Sequence, residues 1–217
     1  MDIRRARVGA TAWTLAIVLL ASGTSPARAA RIEGVEFADH VDLGGTRLAL
    51  HGLALLRYRV LFKGYVAALY LEPAVPAERV LGDVPRRLEI EYFWSIPASG
   101  FVEATFEGIE RNVDPATFRA LQPHIERFGR LYADVHPGDR YQLTYLPGRG
   151  TELAKNGEML GVVEGADFAR ALFSIWLGAE PFDESLKGQL LDGPRTPGLR
   201  LRGAPVCEEA GACSPAS

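Results

Sequence analysis

No CxxC, HExxH, P-loop or G-x-S-x-G motif occurs in the 217 residues. Their absence removes the signatures of thiol redox, zinc hydrolase, nucleotide-phosphate and serine hydrolase chemistry. Histidine is sparse: His40, His51, His124 and His136 are scattered, and none has a metal-ligand neighbour at helical spacing. No metal and no cofactor is therefore implied. Lysine and arginine form no block, which argues against a nucleic-acid partner. The two cysteines, Cys207 and Cys213, both lie in the last stretch of the chain. In an oxidising compartment they are expected to close a small disulfide loop; a reactive pair is the sharper alternative, with no helix or strand to position it. No internal repeat is present.

A long apolar run is missing too. Residues 12–21 are apolar, but ten residues are too few to span a bilayer comfortably. Arg4, Arg5 and Arg7 precede them and Ala27-Arg28-Ala29 follows, the pattern of a secretory signal peptide over residues 1–29. The chain is thus expected to be periplasmic, with no membrane anchor after cleavage. The full chain carries 24 basic and 27 acidic side chains; without the four arginines and Asp2 of residues 1–29, 20 remain against 26. The remainder is long enough for one core, read as a single domain over 30–193. Residues 194–217 shift to proline, glycine, alanine and short polar residues and read as a flexible tail.

Between these ends the pattern is strands, helices, strands, helices. Val35, Phe37, Val41 and Leu43 lead to Gly44-Gly45, and Leu48 and Leu50 follow, as in a hairpin. Leu88, Ile90, Tyr92 and Trp94 alternate with Arg87, Glu89 and Glu91, the mark of a half-buried strand. Helical spacing over 98–112 and again from Asp114-Pro115 to about Ala133 predicts two helices, the second kinked or split at Pro123. Tyr141, Leu143 and Tyr145 return to strand, and Asn156-Gly157 marks a hairpin. Asp167 and Asp183 are placed to cap two last helices. The order predicts an α+β domain, an antiparallel sheet with helices packed on one face. Asp39, His40, His136 and Arg149 read as surface residues, and Gly148-Arg149-Gly150 is too short for a phosphate loop.

Residues 55–72 read LLRYRVLFKGYVAALYLE, rich in aromatic and β-branched residues and free of proline. The run is too long for one ordinary strand, so a bend or bulge is expected near Gly64. If alternation holds across it, Arg57, Arg59, Leu61, Lys63, Tyr65, Ala67, Leu69 and Leu71 share a face. A guanidinium and a phenol would then stand at the end of an apolar pocket. The plainer alternative leaves Arg57 and Tyr65 flanking a core strand and reaching water.

The strings GLALLR at 52–57, FKGYV at 62–66 and LYLE at 69–72 resemble the chalcone isomerase-like superfamily, in its bacterial secreted branch. The likeness continues in Tyr92-Phe93-Trp94, in GIERN at 108–112, in Gly138-Asp139 and from Gly165 to Gly178, covering roughly 33–192. The resemblance implies an open-faced antiparallel sandwich. Plant chalcone isomerases hold a flavonoid with a strand arginine and threonine, a helix tyrosine and asparagine, and a late-helix threonine or serine. These positions fall on Arg57 and Tyr65, near Phe101 and Gly108, and on Ile175 beside Trp176. The polar set that orients a phenolate is mostly replaced by apolar groups, which speaks against ring closure. Arginine with tyrosine instead resembles the fatty-acid-binding branch, where the pair grips a carboxylate. Arg57 and Tyr65 are then the expected ligands of a fatty acid or similar amphipathic carboxylate, with Phe101, Val102, Phe106, Ile175 and Trp176 as walls. Two alternatives stay open: an intramolecular lyase of chalcone isomerase type, and a structural or partner-binding module whose pocket is filled by its own side chains.

Overall fold

Gly44 and Gly45, with φ of 59° and 96°, close the tightest turn near the start of the main sheet, where side chains other than glycine are strained. The computed structural model describes residues 29–58 and 62–193. It begins with a two-stranded ribbon, β1 (Ala29–Ile32) and β2 (Val35–Ala38). Seven antiparallel strands follow in sequence order across one curled sheet: β3 (His40–Leu43), β4 (Thr46–Tyr58), β5 (Phe62–Leu71), β6 (Arg86–Tyr92), β7 (Arg140–Leu146), β8 (Gly150–Lys155) and β9 (Glu158–Val163). Helices α1 (Ala98–Asn112) and α2 (Pro115–Gly129) join β6 to β7; α3 (Ala166–Leu177) and α4 (Glu184–Leu191) follow β9.

Alternation sorts the sheet residues. Leu69, Leu71, Leu88, Ile90, Tyr141, Leu143 and Leu153 point to one face, where they bury against Ile109, Phe128, Phe168, Leu172 and Leu186 of the helices. Burying such side chains contributes roughly 1.5–3 kcal/mol each, so this layer dominates stability. The opposite face carries Leu48, Val66, Ala68 and Tyr70, covered at that end by Val35 and Phe37 of the ribbon. Helices on one face of an antiparallel sheet is the α+β architecture the sequence predicts.

Several local expectations need correction. The run 55–72 is a hairpin rather than one bent strand, with residues 59–61 outside the described part. Pro123 does not split α2, which continues to Gly129. Gly165, not Asp167, stands at the cap of α3; Asp167 lies in the first turn without a capping bond. Asp114 and Asp183 do cap α2 and α4 through backbone amides. Asn156 and Gly157, both at positive φ, turn β8 into β9 as predicted. The stretch read as a signal peptide lies outside the described residues up to Ala29, which begins β1, and so do the tail and both cysteines. Among the described residues no helix is long and apolar enough to cross a membrane.

Candidate functional site

Gly64 decides where the two expected ligands go. Leu56 pairs with Tyr65 but the next residue, Arg57, pairs with Lys63, so Gly64 is left over as a bulge. A bulge shifts the alternation by one. Tyr65 stays with Ala67, Leu69 and Leu71 on the helix face, as the parity predicts, while Lys63 joins Arg57 on the other side. The bulge expected near Gly64 is present, and it separates the pair that the sequence reading places in one cavity.

On the helix face, Tyr65 lies edge-on to Tyr92, with ring centroids 5.7 Å apart, and its oxygen accepts a 3.1 Å hydrogen bond from Trp176 Nε1. Burial raises the Tyr65 hydroxyl pKa well above the ordinary phenol value, partly opposed by the Trp176 bond. Beside this pair a cavity of about 40 Å³ is lined by Tyr92, Phe101, Thr105, Tyr132, Ile175 and Trp176, among others. That is room for little more than a water molecule. Phe101 stacks on Tyr132 at 5.4 Å and meets Tyr141 edge-on at 5.2 Å. Thr105 and Tyr132 share a 2.8 Å hydrogen bond. Gly108, matched to the helix asparagine of chalcone isomerases, receives Ile175 instead: a Cβ there would lie 2.9 Å from Ile175 Cγ1. Phe101 of α1 and Ile175 and Trp176 of α3 line this cavity, but Val102 and Phe106 do not. Both are partly exposed on the outer side of α1, Phe106 against Phe118 of α2, because they sit one and five residues beyond Phe101 on the helix.

On the other side Arg57 is half exposed. Its Nη2 donates to Glu33 Oε1 at 3.4 Å, while Lys63 Nζ holds the other oxygen of Glu33 at 2.5 Å. The Lys63 bond lowers the Glu33 pKa below the ordinary carboxylate value. Arg57 opens onto a groove of about 360 Å³ between the ribbon and α4, lined by Ile32, Glu33, Leu55, Asp183, Ser185 and Gln189. A second space of about 570 Å³ continues it past Leu53 and Gly188 to Gly193. The sequence reading missed this groove. Its signal was the polar stripe of Ser185, Gly188, Gln189 and Asp192 at i, i+3, i+4 and i+7 on α4. Among the described residues no cluster of three or more histidine, cysteine, aspartate or glutamate side chains could hold a metal ion.

Comparison with known proteins identifies the family and the fold. The model of the family described as chalcone isomerase-like matches residues 29–192. The crystal structure of the Arabidopsis thaliana fatty-acid binding protein AtFAP1 is similar in fold, with a TM-score of 0.58 at 16% identity, covering 76% of this chain and 96% of that one. No curated protein matches the sequence.

Proposed function

This chain belongs to the chalcone isomerase-like family, and from that premise we propose that it is a non-catalytic, exported binding protein for a small amphipathic carboxylate, held in the external groove at Arg57. One observation carries the reading: space and a half-exposed guanidinium coincide at Arg57, beside about 360 Å³ of groove floored by Ile32 and Leu55 and bordered by Glu33 and Asp183, whereas the interior beside Tyr65 offers about 40 Å³. Glu33 is held closely by Lys63, so a ligand carboxylate can take the Arg57 guanidinium without stranding that acid. On the α4 side the Ser185 hydroxyl, which accepts from Gln189 Nε2 at 3.3 Å, has its own proton to donate. The fatty-acid-binding neighbour supports a ligand of this class and, at 16% identity, no particular contact.

Titration of dodecanoate by calorimetry tests the site. Arg57→Ala is expected to weaken binding by about 1 kcal/mol, because the guanidinium is half exposed and its pairing is screened by water. Tyr65→Phe and Phe101→Trp, the latter filling the interior cavity, are expected to bind like the parent. Loss of binding in Phe101→Trp but not in Arg57→Ala would move the ligand inside the fold. A second reading, a partner-binding module without a small ligand, is favoured by the aromatic filling of the interior; a parent that binds no carboxylate would support it. Export rests on residues 1–29, and a mature amino terminus at Ala30 on sequencing the periplasmic protein checks it.

A further inference from the structure

The outer side of α1 carries two large apolar side chains that the core does not take. Val102 and Phe106, one turn apart, are 41% and 39% exposed. They border a shallow depression of about 430 Å³, lined also by Ser99, Glu103 and Glu107. Each leans on α2 without being covered by it. Phe106 meets Phe118 edge-on at 4.8 Å, and a Cβ on Gly129 would lie 3.5 Å from Val102. The start of α1 thus meets the end of α2. Only Val113 and Asp114 join the two helices, so they form an antiparallel hairpin with one continuous outer face.

The charges on this face sort by helix. α1 exposes Glu103, Glu107 and Glu110 against one base, Arg111. α2 with its cap residue exposes Arg119, Arg127 and Arg130 against one acid, Glu126. The spacing i, i+4, i+7 sets the three glutamates in one outward row. Among the described residues none of these side chains forms an ion pair. Ala116, Ala120 and Pro123 are also exposed on α2 and small enough to let another helix approach. A face with an acidic half, a basic half and an apolar seam is complementary to itself. A two-fold axis through the seam lays α1 of each copy on α2 of the other, acid against base twice over, with both Phe106 rings near the axis. A basic peptide would satisfy the acidic half and leave the arginines opposed by like charge. Each helix has 15 residues, about 22 Å, and a pair of them presents roughly 450 Å² per copy, the size of a weak, reversible contact.

We propose that the outer face of the α1–α2 hairpin is the contact surface of a weak, two-fold homodimer. Sedimentation equilibrium of the purified protein tests this, with reductant present so that Cys207 and Cys213 cannot link copies. The parent dimerises with a Kd on the order of 10–100 μM, and more weakly at high salt. Two charge reversals, each confined to exposed positions, divide the outcomes. Glu103→Arg with Glu107→Arg weakens self-association at least tenfold, and so does Arg119→Glu with Arg130→Glu. Mixed one to one, the two double variants associate as tightly as the parent, because each carries the charges the other now lacks. Neither misfolding nor a contact through another face produces that recovery. A parent that stays monomeric at several hundred micromolar overturns the proposal, and a basic protein bound by that monomer would give the face to a different partner. A dimer that both reversals leave intact, or that the mixture fails to restore, overturns it as well. The face shares no residue with the groove at Arg57, so the two proposals fail separately.

Discussion

Arg86 and Asp139 are two charges that the fold treats in opposite ways. Arg86 has no exposed surface; its guanidinium lies between the rings of Tyr145 and Phe173, 4.6 Å from each centroid. Nη1 donates to the Gly82 carbonyl at 2.7 Å, and burial lowers the pKa to about 10, so the group stays charged at neutral pH. The strand reading of 87–94 stopped one residue short of it, yet the same parity that buries Leu88 buries Arg86. Asp139 accepts from Asn156 at 2.7 Å, from Lys155 at 2.9 Å and from the His136 amide at 2.8 Å. The Asn156 and Lys155 bonds hold its carboxyl well below the usual carboxylate range. In the unfolded chain the group titrates near 4, so its contribution is full above that pH and is lost as the pH falls through and below it. Asp139→Asn is expected to flatten the acid limb of stability. Urea midpoints measured from pH 6 down to pH 3 should fall less steeply in the variant than in the parent. Gly138-Asp139 could be quoted from the sequence as part of a likeness, but its role could not, since the two partners that lower its pKa most, Asn156 and Lys155, come from the end of β8 and the turn after it.

At the scale of elements, the sequence was most legible where one local rule governs. The bounds of α1 follow from its spacing, and Asn156-Gly157 fixes the β8–β9 hairpin because both residues must take positive φ. It was least legible where two rules compete. Parity across 55–72 put Arg57 and Tyr65 together, but a turn and the Gly64 bulge intervene, and each resets the count. The edge of β4 depends on another such position. A Cβ on Gly52 would overlap the Leu190 carbonyl, so glycine is what lets α4 lie directly on the strand. His51 Nε2 and the Leu191 carbonyl, 3.1 Å apart, and the Gln189 bond to Leu55 then fasten the helix there. Gly52→Ala is expected to push α4 off the edge and to cost about 1–3 kcal/mol by overpacking, read from the shift of the urea midpoint. Unchanged stability would mean that α4 does not rest on β4 as described. The alternation in 52–57 gives no hint of this, because the contact lies some 140 residues away in the chain.

For the whole molecule, the question is what fills the space between sheet and helices. The fold is shared with a fatty-acid binding protein, but here aromatic side chains converge on that space from β5, β6, β7, α1 and α3. Spacing along the chain sets these aromatic residues on their elements without telling whether their rings line a pocket or close it. Rotamers decide that, and they close it, leaving about 40 Å³. Phe101 is the central piece, in contact with Tyr92, Tyr132 and Tyr141 at once. Phe101→Ala is expected to cost about 2–3 kcal/mol, less than for a fully buried ring because Phe101 is partly exposed. The void would be walled mainly by aromatic faces and Ile175, so it should take an apolar guest, as engineered apolar cavities do. Thermal unfolding with and without benzene separates the cases. A guest that binds only the folded state raises Tm, so benzene should raise it in Phe101→Ala and leave the parent unchanged. Equal elevation in both proteins would mean that the interior is already hollow, and the carboxylate would then belong beside Tyr65 rather than in the groove at Arg57.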